Sequence, residues 1–351
     1  MKRGLWILLL SITLYFAARA PASEPPAFVA NEKVAPVDQP TKAGNIIRLD
    51  PRIDKLIATD AKLEKVADGF DWVEGPVWNR QENYLLFSNI PANAIIKWQA
   101  DKPTEIFMKP SGYTGSAPFA GREPGTNGLT YDNDGHLVMC EHGDRRITRL
   151  ESNGKKTTLA DRFDGKRLNS PNDLVFSAKG DLYFTDPPWG LPKTFDDPQK
   201  ALDFCGVYRL SKTGKLTLLT KELKAPNGIA LSPDEKKLYV TESLGERAAW
   251  YVFDVKEDGT ITNGRIFFDA AALMKIRKGA PDGLKVDKDG NLFSAGPEGI
   301  YVFAPDGTLL GTIETGVPTG NCNWGEDGSA LFITADKAIY RIKTTTRGKG
   351  F

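Results

Sequence analysis

Apolar and polar residues alternate along most of this chain in short segments, and turns containing Gly, Asn or Asp separate the segments. Alternation with a period of two predicts half-buried β-strands rather than helices. One phrase recurs six times: a small acidic or amide residue, usually followed by Gly, enters an apolar strand, and a turn then leads into a second strand. The six copies begin at Glu74, Asn127, Asn172, Asn227, Asp282 and Asn321.

The copies recur at intervals of about 40–55 residues, a spacing typical of propeller blades. Third and fourth strands follow the first two, as at residues 207–210 and 216–219, where a Lys-Thr-Gly turn joins them. The sequence therefore predicts an all-β, six-bladed β-propeller in which each blade is a four-stranded sheet.

The last copy lacks an outer strand, whereas residues 63–66 alternate like a strand just before the first copy. We expect this N-terminal strand to complete the final blade, because ring closure removes two exposed sheet edges. The propeller is predicted to span residues 48–345, followed by a tail at 346–351. Residues 56–62 are expected to form a turn or two of helix. Three longer loops are expected to lie over the channel mouth as lids, at residues 109–126, 187–204 and 270–280.

The start of the chain has the composition of a secretory signal peptide. Residues 1–22 combine two basic residues, an apolar stretch and a small-residue cleavage site before Ser23. A membrane anchor that is never cut is the alternative, but the apolar run is short for a membrane span. Residues 23–47 are predicted to be a flexible linker. We therefore expect an exported protein without a stable membrane anchor, either secreted or, in a Gram-negative bacterium, periplasmic.

The composition excludes several classes of function and of metal site. Lys and Arg number 46 against 45 Asp and Glu, so no basic excess indicates a nucleic-acid partner. The three cysteines lack Cys-x-x-Cys spacing and the chain has two histidines, which argues against thiolate and multi-histidine metal sites. Cys140 and Cys322 are expected to be buried. The sequence allows one disulfide but does not indicate which two cysteines would form it. The Gly-x-Ser-x-Gly context of a serine esterase does not occur. A monomer or a dimer is expected.

In a propeller, the first residue of each copy lies where the innermost strand begins, so six polar side chains should converge on one channel mouth. Four of them, Glu74, Asn172, Asn227 and Asp282, offer two carboxylates and two amide oxygens. Such a set suits Ca²⁺, while Mg²⁺, Mn²⁺ and Zn²⁺ remain open. The alternative is that these are ordinary turn residues. Their registration at equivalent blade positions favours a cation site.

Four motifs, taken in order, resemble the signature of the gluconolactonase, senescence-marker-protein and luciferin-regenerating-enzyme family. They are Glu74-Gly75-Pro76-x-Trp78, Ser170-Pro171-Asn172-Asp173, Pro226-Asn227-Gly228 and Pro281-Asp282-Gly283. The resemblance covers residues 48–343. The segments 140–146, 167–173 and 185–191 are most similar to those of bacterial gluconolactonases.

This resemblance implies a metal-dependent propeller that hydrolyses a sugar lactone, such as the aldono-1,5-lactone gluconolactone, to the aldonic acid. It assigns the metal ligands to Glu74, Asn172, Asn227 and Asp282. The cation would polarise the lactone carbonyl, and Asp282 would also transfer the proton. A pure ligand role for Asp282 is the alternative.

Four further residues are candidates for substrate binding: Asn127, His142, Arg146 and Asp186. Asn127 begins blade two at a channel position. His142 and Arg146 follow the second strand of that blade, which we expect to lead away from the channel mouth. Asp186 either contacts substrate or caps a loop, and Arg145 is expected to be a surface residue.

Two other functions remain open at this stage. The protein can be a hydrolase of another ester or of a phosphotriester, because related six-bladed propellers use similar calcium sites. It can also be a binding module in which the ion is structural. Lactone opening that a chelator abolishes without unfolding the protein distinguishes the leading hypothesis from the binding module.

Overall fold

The computed structural model describes residues 42–351, and its sheets form a β-propeller of six blades. The innermost strands of successive blades contact one another in cyclic order, and the sixth contacts the first. The predicted fold is therefore confirmed. The predicted signal peptide (1–22) and most of the predicted linker (23–47) lie outside the described residues. The helices between residues 42 and 351 are all too short or too polar to cross a membrane.

The strands, in chain order, begin with two that precede the first blade, β1 (Ile46–Arg48) and β2 (Leu63–Asp68). Blade one contains β3 (Val73–Asn79), β4 (Tyr84–Asn89), β5 (Ala94–Trp98) and β6 (Glu105–Met108). Blade two contains β7 (Thr126–Tyr131), β8 (Leu137–Glu141), β9 (Arg146–Leu150) and β10 (Lys156–Ala160). A separate hairpin follows, β11 (Arg162–Phe163) and β12 (Lys166–Arg167). Blade three contains β13 (Leu174–Phe176), β14 (Leu182–Asp186), β15 (Gly206–Leu210) and β16 (Leu216–Thr220).

Blade four contains β17 (Pro226–Leu231), β18 (Lys237–Glu242), β19 (Ala249–Val255) and β20 (Ile261–Asp269). Blade five contains β21 (Leu284–Val286), β22 (Leu292–Gly296), β23 (Gly299–Phe303) and β24 (Leu309–Glu314). Blade six contains β25 (Thr319–Gly325), β26 (Ala330–Ala335) and β27 (Ala338–Lys343). The helical segments are one α-helical turn at Ala271–Met274 and 3₁₀ turns at Pro51–Lys55, Thr194–Asp196 and Gly245–Arg247.

The ring closes as predicted, because β2 pairs antiparallel with β27 and becomes the outer strand of blade six. Leu63 lies opposite Ile342 in this pairing. The sequence did not predict that β1 pairs with β24 as a fifth strand of blade five. This strand begins at Ile46, two residues before the predicted start of the propeller, and Ile46 packs against the core between blades five and six.

The helix predicted at residues 56–62 is wrong, since that segment forms turns and the helical turn lies earlier, at Pro51–Lys55. Asp50 explains the earlier start: its Oδ1 accepts the amide of Arg52 at 2.9 Å, and Pro51 fits the first helical position.

Apolar side chains fill the spaces between neighbouring blades. Trp78 of blade one stacks on Phe332 of blade six with ring centroids 5.3 Å apart, and Trp324 of blade six meets Phe293 of blade five edge-on. Cys140 and Cys322 are buried as expected, and all three cysteines, including Cys205, are free thiols. This packing holds the blades at fixed angles and therefore fixes the positions of the inner strands around the channel.

The last residues of the chain lie against the end of the channel to which the inner strands run. The hydroxyl of Thr346 donates to Asp287 at 2.8 Å, Gly348 bridges to Asp287, and the guanidinium of Arg80 lies 3.7 Å from the centroid of the Phe351 ring. These contacts attach residues 346–351 to blades one and five.

Candidate metal and active site

The four predicted ligand residues lie at equivalent places in four blades. Glu74 and Asn227 are the second residues of β3 and β17, and Asn172 and Asp282 lie two residues before β13 and β21. Because the inner strands contact one another around the ring, these four positions face one mouth of the channel. The ladder is irregular between Glu74 and Val77 and between Pro226 and Ile229. Such bulges at a strand end re-aim side chains, here at the mouth.

Neighbouring blades hold the backbone of these residues. The carbonyl of Asn172 accepts the amide of Gly128 at 2.8 Å. The carbonyls of Asn227 and Asp282 accept the hydroxyls of Thr185 and Thr241, at 2.6 and 3.1 Å. Each backbone is thereby tied to the preceding blade, and the side chain stays available for a ligand.

Glycines permit the inner strands of neighbouring blades to approach each other closely at the mouth. A Cβ atom at Gly228 would collide with the carbonyl oxygen of Asp282, and one at Gly320 would collide with the carboxylate of Glu74. Both contacts are shorter than real Cβ atoms show, so a side chain at either position would displace a candidate ligand.

Negative charge is concentrated at the mouth. Burial raises the pKa of Glu74 to about 8, and the Asp173 carboxylate adds to the rise, although the Gly75 amide opposes it. Burial also raises the pKa of Asp282 well above its ordinary value, with further contributions from Glu74 and Asp173. The ammonium of Lys285 lies 3.7 Å from Asp173 and offsets part of this charge. The mouth therefore favours a bound cation.

The donor set fits a hard divalent cation. Asn172 and Asn227 are buried, yet within residues 42–351 their side-chain amides have no hydrogen-bond partner in the protein. One oxygen of Glu74 accepts the Gly75 amide at 3.0 Å. Amide oxygens of buried residues that have no protein partner, beside carboxylates with raised pKa values, are groups that a cation with oxygen ligands would satisfy.

Residues 72–337 match the family described as SMP-30/Gluconolactonase/LRE-like region. The chain belongs to this family. It is 42% identical over 312 residues to a gluconolactonase of Zymomonas mobilis, with 87% of each chain covered. A lactonase of Staphylococcus saprophyticus is 32% identical over 253 residues, with 69% of each chain covered.

A solved structure described as a gluconolactonase from Xanthomonas campestris has the same fold, with a TM-score of 0.74 and 31% identity. The alignment covers 87% of this chain and 96% of that one. The resemblance predicted from the four motifs is therefore confirmed.

Of the predicted substrate-binding residues, Asn127 joins the four candidate ligands in the ring of inner strands. It is buried, its carbonyl accepts the hydroxyl of Ser88 at 2.8 Å, and a Cβ at Gly75 would collide with that same carbonyl. This gluconolactonase-family chain thus carries a fifth polar side chain at the mouth, the third amide among them, in the blade between those of Glu74 and Asn172.

His142 and Arg146 also lie at the edge of blade two nearest the mouth. We expected the second strand to lead away from the mouth, but Glu141 at the end of β8 pairs with Thr126 at the start of β7. An antiparallel second strand returns to the edge where the first began. The guanidinium of Arg146 pairs with Glu141 at 2.6 Å and with Asp144 at 3.0 Å.

Asp186 is fully buried beneath the segment that presents Asn172. Its Oδ2 accepts the amide of Asn169 at 2.8 Å, whereas Oδ1 has no partner within residues 42–351. Burial raises the pKa of Asp186 to about 7, opposed by the Asn169 amide. Of the two roles considered for Asp186, these contacts favour the loop cap.

The prediction that Arg145 is a surface residue is wrong. Arg145 is buried, with φ of 56°, and its guanidinium donates to the carbonyls of Leu168, Asn169 and Gln199. Its partners come from distant loops, so no local pattern indicates its burial.

Sequence reasoning placed Asn321 at the mouth without giving it a role, and it missed Glu123. Asn321 begins the sixth copy, and its side chain acts on the Glu74 carboxylate, opposing the rise of the pKa of that group. Its place in the repeat was the available signal. Glu123 lies in the loop between blades one and two, outside every repeat, and its charge contributes to the raised pKa values of Glu74 and Asp282.

A second group of potential cation ligands lies in the turn between β7 and β8. Asp132, Asp134 and His136 bring ligand atoms close together, and the Nδ1 of His136 lies 3.4 Å from Asp132. One Asp132 oxygen accepts the amides of Asp134 and His136, a contact typical of a tight turn. A cavity of about 610 Å³ adjoins this turn and is partly lined by Lys349 and Phe351.

Proposed function

We propose that this protein hydrolyses a sugar lactone, an aldono-1,5-lactone such as glucono-1,5-lactone, to the aldonic acid. The observation that carries the proposal is the convergence of Glu74, Asn172, Asn227 and Asp282 on one channel mouth of a gluconolactonase-family propeller. Two of these residues are carboxylates whose pKa values are raised. Two are buried amides that have no partner within residues 42–351.

Glu74, Asn172, Asn227 and Asp282 would hold a divalent cation, most simply Ca²⁺ because all the donors are oxygen atoms. When bound, such a cation polarises a carbonyl and stabilises the negative charge that develops on its oxygen.

Exposure distinguishes the two carboxylates. Glu74 is 2% exposed and accepts a hydrogen bond from the Gly75 amide. Asp282 lies mostly within the protein but keeps more solvent-accessible surface than Glu74, so water entering the mouth can reach it. We therefore assign the proton transfer to Asp282. It takes a proton from water as the water oxygen bonds to the lactone carbonyl carbon, and it returns a proton to the ring oxygen as the carbon–oxygen bond breaks.

Asn127 and the residues of the loops at the mouth would position the sugar ring. The cap that Asp186 places on Asn169, and the bonds from Arg145 to Leu168 and Asn169, hold the segment that leads to Asn172. Asp186 and Arg145 would therefore position Asn172 and would not contact the lactone themselves.

The test is hydrolysis of glucono-1,5-lactone by the protein from Ser23 onward, followed as acid release after chelator treatment and after Ca²⁺ is restored. We expect turnover that requires the cation and that falls by about 100-fold or more in Asp282→Asn. Asp289→Asn, an exposed aspartate of the same blade, is the matched control and should keep wild-type activity.

Three results would contradict the proposal. Turnover that survives Asp282→Asn would remove the proton role of Asp282. Hydrolysis of an aryl ester or a phosphotriester but of no sugar lactone would indicate the other hydrolase activity. Cation binding without hydrolysis of any of these compounds would indicate a binding module with a structural ion.

A further inference from the structure

Glu123 makes one contact that the proposed chemistry does not use. It lies in the segment 109–125, which has no helix or strand and connects blade one to blade two. Its Oε2 atom lies 2.8 Å from Nδ1 of His142. The His142 side chain is completely buried, whereas 28% of the Glu123 side chain is exposed. The pair therefore joins a buried imidazole to a carboxylate that solvent can reach.

The backbone around His142 is held on two sides. Its amide donates to the carbonyl of Gly125 at 3.1 Å, so the segment that carries Glu123 is attached directly to it. A Cβ atom at Gly190 would lie 2.5 Å from the Cβ of His142, which shows how closely the loop between β14 and β15 of blade three packs against His142. A Cβ at Gly121 would lie 3.1 Å from Pro192, so the two loops also meet each other.

The contact between the two side chains restrains one carboxylate oxygen. Nδ1 of His142 and Oε2 of Glu123 lie 2.8 Å apart and are both buried, but their geometry is not that of a hydrogen bond, and neither atom has a hydrogen-bond partner within residues 42–351. Packing against the buried imidazole limits the orientations that the carboxylate can adopt. The other oxygen of Glu123, Oε1, makes no hydrogen bond to any residue between 42 and 351. That oxygen remains an oriented acceptor.

Glu123 is near the candidate site, because a Cβ atom at Gly190 would touch both its partner His142 and Ser170, and Ser170 lies two residues before Asn172. Its negative charge is among the causes that raise the pKa values of both Glu74 and Asp282. A carboxylate that is oriented at one oxygen and open at the other is a strong acceptor for hydroxyl groups, because hydrogen bonds to a charged partner are stronger than neutral ones.

We propose that Glu123, oriented by His142, accepts hydrogen bonds from ring hydroxyls of the lactone and so selects hydroxylated lactones over unsubstituted ones. The proposal rests on the lactonase function proposed above and adds a specificity residue to it. Glu123 contacts the substrate, and His142 is a positioning residue. A site built to bind a hydroxyl discriminates strongly against an analogue without it, since the acceptor is then left unpaired.

The experiment compares two lactones of the same ring size, glucono-1,5-lactone and the unsubstituted δ-valerolactone. We expect Glu123→Ala to lower kcat/KM for glucono-1,5-lactone by about 10- to 100-fold, the loss of a hydrogen bond to a charged group. Hydrolysis of δ-valerolactone should change by less than about threefold. His142→Asn should shift the ratio of the two kcat/KM values in the same direction by a smaller factor. Arg122→Ala, an exposed neighbour in the same loop, should leave both values unchanged.

Equal losses on both lactones would overturn the proposal and indicate that Glu123 only supports the loop. An unchanged ratio in Glu123→Ala would show that no hydroxyl contacts it. Failure of the wild type on both lactones would contradict the proposed lactonase function instead. In that case binding of 1,5-anhydroglucitol, which keeps the ring hydroxyls but lacks the carbonyl, decides the matter by calorimetry. Weaker binding in Glu123→Ala than in Arg122→Ala would support the hydroxyl contact, and equal binding would overturn it.

Discussion

The hydroxyl of Thr241 donates to the carbonyl oxygen of Asp282 at 3.1 Å and accepts the amide of Gly228 at 2.7 Å. One buried hydroxyl thus links the inner strand of blade four to the residue that begins the inner strand of blade five. Thr185 makes the equivalent link to Asn227, and Ser88 makes it to Asn127. The propeller therefore positions its polar ring through repeated hydrogen bonds between blades.

Replacing Thr241 by Val removes the hydroxyl and leaves the Gly228 amide and the Asp282 carbonyl without this partner. We expect the free energy of unfolding to fall by about 1–3 kcal/mol. Cation affinity should fall by about 10- to 100-fold, the range typical when a residue that orients a ligand is lost. Ser88→Ala breaks the same link at a position that is not a proposed cation ligand. It should lower stability but leave cation affinity unchanged in calorimetry. Equal affinities in the two variants would contradict the orienting role of Thr241.

The raised pKa of Glu74 predicts a pH dependence that a cation removes. Because the folded state binds this proton more tightly than the unfolded state, its contribution to stability is complete below about pH 4.5. The contribution is lost as the pH rises to about 8. Chelator-treated protein should lose on the order of a few kcal/mol across this interval in urea unfolding.

Glu74→Gln should flatten that slope, and saturating Ca²⁺ should flatten it in the wild type. Calcium makes the test specific, because a bound cation favours the ionised carboxylate. A slope that Ca²⁺ leaves unchanged would mean that Glu74 does not contact the ion.

The raised pKa of Asp186 predicts a second pH dependence of stability, one that does not require the cation. Its pKa is raised from 3.8 to about 7, so its contribution to stability is present at low pH and is lost as the pH rises through this interval. Asp186→Asn should remove the dependence, because the amide oxygen can still accept the Asn169 amide and no charge is buried. Urea unfolding in saturating Ca²⁺ isolates this effect from that of Glu74. An unaltered slope in Asp186→Asn would contradict the assignment.

Substitutions of the adjacent residues Arg145 and Arg146 should lower the free energy of unfolding by different amounts. Arg145→Met removes the donors to three loop carbonyls and should lower the free energy of unfolding by about 2–4 kcal/mol. Arg146→Met should cost less than about 1 kcal/mol, because Glu141 keeps its contacts with Lys156 and Thr148, both at 2.8 Å. Thermal unfolding gives the comparison. Loss of turnover in Arg146→Met without loss of stability would support the substrate contact predicted from the sequence, and equal destabilisation by both substitutions would contradict the structural distinction.

The repeat explains why so much of this fold was predictable. Blade strands alternate with a period of two and end at turns with their own residue preferences, so both signals are local. The first polar residue of each copy could be placed at the channel mouth because every blade repeats the same path. Even the closing strand at Leu63–Asp68 followed from an unpaired edge in blade six.

What the sequence did not predict depends on contacts between distant segments. The burial of Arg145 requires Leu168 and Gln199 to come together, and nothing in residues 140–146 indicates those partners. Glu123 lies in a loop without periodicity, and its importance appears only when His142 is seen 2.8 Å away. Loop conformations are determined by such tertiary contacts, which a local pattern does not encode.

The measurement that tests the central claim most directly is calorimetric titration of chelator-treated protein with Ca²⁺, comparing the wild type with Asn227→Ala and Asp134→Ala. We predict one ion per chain and at least a 10- to 100-fold weaker affinity in Asn227→Ala. Asp134→Ala, which alters the exposed turn of Asp132, Asp134 and His136, should bind as the wild type does. Wild-type affinity in Asn227→Ala together with loss of binding in Asp134→Ala would place the ion in that turn and contradict the proposed site.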